Sequence, residues 1–164
     1  VREVTLEALV PSERAEDVFH AVRRWERYPE LAPHVEATTV HATHPDPDCS
    51  SSWELHFRSG LLRWTEQDVF LTDTLEIRFE QTDGDFDSFR GDWRIAQDGA
   101  DVTVRFSAVF DFGIPSLEGI LDPIAERVIR ETIAWAVTGM FPQTQVIGEE
   151  PDVDSKSVGV PATA

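Results

Sequence analysis

Between residues 52 and 112 apolar and polar side chains alternate again and again, and nothing else in the chain constrains its fold as tightly. Trp53, Leu55 and Phe57 alternate with Glu54, His56 and Arg58. Leu62, Trp64 and Phe70 share one phase against Arg63, Thr65 and Gln67. Leu75, Ile77 and Phe79 oppose Glu76, Arg78 and Glu80, and Phe89, Gly91, Trp93 and Ile95 oppose Arg90, Asp92 and Arg94. Val102, Val104, Phe106, Ala108, Phe110 and Phe112 form the last apolar phase. Successive side chains of a strand point to opposite faces, so each run presents one apolar side. Ser59-Gly60, Thr72-Asp73, Asp83-Gly84 and Asp98-Gly99 separate the runs as turns. The pattern predicts an antiparallel meander with one buried face.

The flanks add one more strand before the meander, another just ahead of it, and helices at either end. Val4, Leu6, Ala8 and Val10 predict a half-buried strand over 1–10. Ser12 reads as the N-cap of a helix over 13–24, and Tyr28-Pro29 as the restart of a short second helix through Leu31. Residues 35–44 predict a strand and 45–51 a turn. Asp122 and Pro123 read as N-cap and first residue of a final helix over 123–138. Ile124, Val128, Thr132 and Trp135 form its apolar stripe, and Gly139 its stop. Residues 141–164 are expected to be a flexible acidic tail, leaving 1–140 as one domain. The fold class is therefore α+β: seven antiparallel strands wrapped around one long C-terminal helix, with two short helices after strand 1. A helix of about 24 Å underfills so large a curved sheet, and a cavity between the two is expected.

Acidic residues number 31 against 14 Lys plus Arg, a net charge of −17. That balance opposes nucleic acid and anionic membranes as partners. One cysteine, Cys49, excludes a disulfide framework. No apolar run reaches the length of a membrane span, and the start lacks a signal-peptide layout, so a cytoplasmic location is expected. His41, His44 and Cys49 have loose metal-like spacing, but 41 and 44 fall on opposite faces of a strand, so no metal is expected. No phosphate loop, dinucleotide fingerprint or nucleophile elbow is present, and no cofactor is expected. His34, after Pro33, reads either as a proton-transfer group near the cavity mouth or as a surface histidine.

Glu66 and Asp68 break the polarity rule of the meander. They share the phase of Leu62, Trp64 and Phe70 and so face the apolar side. Carboxyls placed there lose hydration and repel each other, which raises the pKa toward the range a general acid or base needs. Two plainer readings stay open: a strand end at a wet cavity mouth, or a bulge that turns Arg63 and Gln67 inward instead. Gln81 is a polar candidate for the same face. Trp53, Trp64, Trp93, Phe79, Phe106 and Phe110 are candidates for core or pocket lining.

The element order, together with RRWERYPEL, SGLLRWTEQD, DGDFDSFRGDWRI and FDFGIPSLEGILDPIAERV, resembles the START-like helix-grip (SRPBCC) superfamily, in its polyketide cyclase/dehydrase and coenzyme-Q-binding branch. The resemblance spans about 4–140. It implies a hydrophobic small-molecule ligand and an activity between two poles. One is a polyketide cyclase or aromatase, of the kind used in antibiotic biosynthesis, closing poly-β-ketones by aldol cyclisation and dehydration. The other is a non-catalytic carrier of a quinone, lipid or similar apolar molecule; a regulatory protein-docking domain is a third possibility. The resemblance places the family's aromatic before proline at Tyr28 and its pocket tryptophans at Trp64 and Trp93. The cyclases' tyrosine falls at Val35, their cavity arginine at Asp68 and their helix asparagine near Thr132, so cyclisation here needs other acid–base groups. Glu66 and Asp68 are the catalytic candidates; Trp64, Trp93, Tyr28, Gln81, Phe79 and Thr132 are the substrate-binding ones. An acyl carrier protein as partner would require a local basic patch from Arg14, Arg23, Arg24 and Arg27.

Overall fold

The computed structural model describes residues 1–41 and 48–147. Among them the chain forms strands β1 (Arg2–Val10), β2 (Val35–His41), β3 (Asp48–Phe57), β4 (Gly60–Leu71), β5 (Glu76–Gly84), β6 (Ser88–Asp98), β7 (Asp101–Asp111) and β8 (Gln145–Ile147). The helices are α1 (Ala15–Val22), α2 (Tyr28–Leu31) and α3 (Glu118–Met140), with 3₁₀ turns at Trp25–Arg27 and Pro115–Leu117. All pairs are antiparallel, in the order β2-β3-β4-β5-β6-β7-β1-β8. The architecture is the expected α+β helix grip: β7 folds back onto β1, and the sheet carries α3 against its apolar face.

The alternation decides the inside. Val4, Leu6, Ala8 and Val10 of β1 are buried, as are Val102, Val104, Phe106, Ala108 and Phe110 of β7. From α3 the buried row is Ala125, Val128, Ile129, Thr132, Ile133, Ala136 and Val137. Trp135, expected on that stripe, is 40% exposed. Its ring lies 4.8 Å from that of His34, whose Nε2 is 2.8 Å from Glu131 Oε1, so His34 is held on the helix's outer flank.

Several boundaries differ from expectation. The sheet has an eighth strand: residues 145–147, read as tail, pair with Glu7, Ala8 and Leu9 on the free edge of β1. The remainder of the expected tail beyond 147 lies outside the described residues, as do 42–47, which include His44. β3 begins at Asp48, so the part of the expected turn that is described is already strand. α1 is preceded by Arg14 as N-cap, while Ser12 adopts a left-handed turn (φ 57°) and its N–H donates to Asp101 Oδ1 at 3.1 Å. β5 runs through Asp83-Gly84, and the connection to β6 falls after it.

α3 is longer than expected at both ends, with 23 residues instead of the predicted 16. Pro123 sits in its second turn, where it removes only its own N–H from the ladder, and Asp122 is buried one residue earlier. Gly139 lies inside the helix. A Cβ there would approach Leu31 Cδ2 to 2.9 Å, so the glycine serves the contact between α2 and α3.

Gly91 has a comparable role in the sheet. A Cβ on it would lie 2.2 Å from the Ser107 carbonyl oxygen and 2.8 Å from both Ala108 Cα and Phe79 Cζ. A methyl group there must displace backbone, so Gly91→Ala is expected to cost about 1–3 kcal/mol. For a chain this size that is roughly 2–4 °C of Tm per kcal/mol. Gly60→Ala is the control, because its Cβ would meet nothing within 4 Å. Equal melting temperatures for the two variants would contradict the close approach at Gly91.

Candidate functional site

Strand β4 builds the site. Its inward residues are Leu62, Trp64, Glu66, Asp68 and Phe70, and its outward ones include Arg63 and Gln67. Glu66 is 4% exposed and Asp68 fully buried, whereas Arg63 projects outward to Glu54 at 3.2 Å. A bulge does occur at this point, since Thr65 pairs with Asp83 but Glu66 with Gln81. The extra residue is Thr82, on β5, so β4 keeps its phase and both acids stay inside.

Hydrogen bonding ties the acids to the indoles around them. Trp64 Nε1 donates to Glu66 Oε1 at 2.8 Å, and Ser51 Oγ donates to Asp68 Oδ2 at 2.7 Å. Trp53 Nε1 donates in turn to Ser51 Oγ at 3.0 Å. Asp68 Oδ1 and Trp25 Nε1 are buried without a partner. Burial pushes the Glu66 carboxyl well above the usual carboxylate range, and Asp68 beside it adds to the rise. Burial also raises Asp68, while donation from the Ser51 hydroxyl and the nearness of the Glu66 carboxyl and the Trp25 N–H pull the other way.

Around Glu66 the sheet and α3 enclose a cavity lined by Trp25, Tyr28, Trp53, Leu55, Trp64, Phe79, Phe89, Trp93, Phe106, Ile129, Thr132 and Ile133. Among the described residues, no lysine, arginine or histidine is on its wall. The rings pack closely: Trp53 and Trp64 stack at 6.0 Å with 2° between planes, and Trp25 lies 5.6 Å from Trp53 and 5.4 Å from Tyr28. The centres of water molecules can occupy about 40 Å³ of the space that remains. That holds roughly three or four waters at about 10–15 Å³ each. A larger hollow of about 510 Å³ lies on the outer face of the sheet, among Arg78, Glu80, Arg90 and Asp92. There Glu80 pairs across strands with Arg90 and Arg78 with Asp92, so its charges compensate one another.

The predicted residues therefore fall into groups. Glu66, Trp64, Trp93, Tyr28, Phe79 and Thr132 line the cavity; Asp68 stands behind Glu66. The Tyr28 hydroxyl donates to the Val22 carbonyl at 2.7 Å and the Thr132 hydroxyl to the Val128 carbonyl at 2.7 Å, so both offer the cavity their apolar atoms. Gln81 is elsewhere: its amide clamps the backbone of Phe86, at 2.9 Å through Nε2 and 3.3 Å through Oε1. Sequence reasoning missed Ser51 and Trp25. Ser51 has the parity of Trp53 and Leu55, which was the available signal, but the turn assigned to 45–51 hid it. Trp25 lies just past the helix predicted over 13–24 and opens a 3₁₀ turn, with no pattern in the sequence to single it out. Of the four arginines offered as a basic patch, Arg14 and Arg24 pair with Glu16 and Glu26 at 3.1 and 2.7 Å, and Arg23 lies 4.1 Å over the Phe70 ring. Among the described residues no group of three or more His, Cys, Asp or Glu side chains could hold a metal ion, and no helix is long and apolar enough to cross a membrane.

The raised acid has a consequence for stability. A carboxyl that binds its proton more tightly folded than unfolded stabilises fully below its unfolded pKa, about 4.3 for Glu. The contribution is lost as pH rises from there through the folded value. Glu66→Gln removes this dependence. Urea unfolding from about pH 5 to 8 is therefore expected to show wild-type stability falling relative to the variant. Parallel curves would mean that Glu66 ionises freely in the folded chain.

The fold has counterparts among solved structures. It is similar to that of TTHA0849 from Thermus thermophilus, with a TM-score of 0.76 and 23% identity over 86% of this chain and 95% of that one. It is similar to the Zhui aromatase/cyclase from Streptomyces sp. R1128, with a TM-score of 0.71 and 14% identity over 87% and 92%. A START superfamily protein from Mycobacterium smegmatis gives 0.69 and 17% over 87% and 97%. At these identities the likenesses show a shared fold. No curated protein sequence matches the chain. A sequence model described as polyketide cyclase / dehydrase and lipid transport matches residues 13–136. That match takes in the short helices, every strand of the meander and most of α3, and the chain belongs to the polyketide cyclase/dehydrase and lipid transport family.

Proposed function

We propose that this protein is a cofactor-independent polyketide cyclase/aromatase-like enzyme that holds a hydrophobic poly-β-ketone against the Glu66–Asp68 pair. The observation that carries the reading is a pair of buried carboxyls on the cavity side of β4, one of them on the cavity wall, with no cation among the described lining residues to neutralise them. A non-catalytic carrier needs an apolar wall only, and a buried acid pair there costs stability.

Aldol closure needs a base for an acidic methylene proton and an acid for the carbonyl oxygen that becomes a hydroxyl. Carboxyls two residues apart on one strand face are about 6.6–7 Å apart at the backbone, and their side chains can close that gap. One member gives a proton to the carbonyl oxygen while the other takes one from the methylene carbon, so the pair ends with the proton count it began with. Dehydration reuses both: the acid protonates the departing hydroxyl and the base removes the neighbouring carbon-bound proton. Trp64 and Trp93 supply flat apolar surface for a folded chain of ketones. Holding that chain in one conformation contributes to the rate on its own, since orientation can supply up to roughly 7–11 kcal/mol of a barrier.

A polyketide needs a site of about 300–1,000 Å³, so the cavity has to enlarge on binding. Trp25 and Tyr28 are the lining residues carried on the shortest elements, a 3₁₀ turn and a four-residue helix. Their displacement is the simplest route inward. An acyl carrier protein delivering the substrate would find Arg23 and Arg27 beside that segment.

Binding and turnover test separate parts of this reading. Trp64→Ala and Trp93→Ala are each expected to weaken binding of an aromatic polyketide or quinone about tenfold or more, followed by quenching of the remaining indoles. Unchanged affinity in both folded variants would put the ligand elsewhere. Glu66→Gln and Asp68→Asn keep shape while removing titration. Each is expected to bind ligand but slow cyclisation of a synthetic poly-β-ketone by about 10²–10⁴-fold between roughly pH 5 and 8. Turnover at the parent rate in both would leave the carrier of a quinone or lipid as the better reading.

A further inference from the structure

We propose that Ser51 is a positioning residue that keeps Asp68 ionised, so that the one proton of the acid pair sits on Glu66, the carboxyl facing the cavity. Two anions cannot share this space: both groups are buried, the described cavity wall offers no cation, and mutual repulsion adds to the loss of hydration. Strong donors around one of the two favour its anion over a second neutral acid. The pair therefore carries one proton, and its location follows from the donors that surround each oxygen.

Asp68 has the richer set. The Ser51 hydroxyl reaches its Oδ2 at 2.7 Å. Ser51 has a single O–H proton, and the Trp53 N–H occupies its oxygen from the other side at 3.0 Å. The hydroxyl cannot turn to Trp53 as a donor, because the indole nitrogen accepts nothing. Its proton stays directed at Asp68 Oδ2, and a hydrogen bond to a charged carboxylate is about twice as strong as one to a neutral acid. Trp25 Nε1 and Asp68 Oδ1, buried without partners, give Asp68 a further donor within small reach. Glu66 receives one indole N–H, from Trp64. Its other oxygen is the one free to carry the proton.

The consequence for chemistry is a division of labour in which Glu66 meets a ligand carbonyl as a neutral acid and Asp68, already ionised, is the member left to take the methylene proton. Its use in catalysis rests on the cyclase reading, but the proton's location does not, and the test needs no substrate. Protein labelled with ¹³C at the side-chain carboxyls of Asp and Glu is titrated by NMR from about pH 4 to 9, with Glu66→Gln and Asp68→Asn assigning the two signals. Glu66 is expected to stay protonated through neutrality while Asp68 is already ionised. Ser51→Ala is expected to raise the Asp68 midpoint by about one pH unit, and Ser51→Thr, which keeps the hydroxyl, to restore it. A wild-type protein with the proton on Asp68 at pH 7 overturns the proposal whether or not the variants fold. An Asp68 midpoint unmoved by Ser51→Ala in a folded variant overturns it as well. A correct proton location in a protein that fails to cyclise would sink the cyclase reading alone.

Discussion

Everything distinctive about this molecule depends on keeping two carboxyls dry. An isolated buried carboxylate is among the costliest groups a fold can hold, and the usual remedy is a basic partner. Here the remedy is indole. Trp64 bonds Glu66 directly, Trp53 acts on Asp68 through Ser51, and Trp25 waits beside it. Indole N–H groups supply donors without supplying charge, so they satisfy oxygens while leaving the acids free to hold a proton. The aromatic richness of the chain is thus bound up with its polar centre: the same rings that fill the cavity also solvate the acids.

The part of this design legible from sequence was the part governed by parity. Alternation in β4 marked Glu66 and Asp68 as inward, and no inspection of the sequence alone decided between that phase and the one placing Arg63 and Gln67 inside. The deciding event was a bulge, and a bulge acts on the strand that contains the extra residue. It fell at Thr82 of β5, whose sequence gives no sign of it. Gln81, the residue immediately before it, was accordingly the binding candidate that went astray, drawn into holding the Phe86 loop.

Errors at element boundaries have a common cause: residues with strong local preferences were used for tertiary purposes. Asp122-Pro123 has the form of a helix start but sits inside α3, where a largely exposed turn precedes it and the proline takes its own N–H out of the ladder. Gly139 has the form of a helix stop but makes room for Leu31. Ser51, placed in a turn among PDPDCSS, belongs to β3, where it pairs with Glu66 across the ladder and its hydroxyl reaches the diagonal Asp68. Each local signal was genuine, and for Gly139 and Ser51 a tertiary contact stands where the local signal pointed elsewhere.

The short strand β8 changes how the molecule can breathe. α3 leaves the sheet from β7, and the chain after it returns to β1, which is the neighbour of β7. Both ends of the helix are therefore moored to adjoining strands, like a beam bolted at each end to one wall. A helix held that way resists swinging off the sheet, and α2 leans on it through Leu31 at Gly139. Three residues of edge pairing thereby set the frame against which the displacement proposed for Trp25 and Tyr28 would take place.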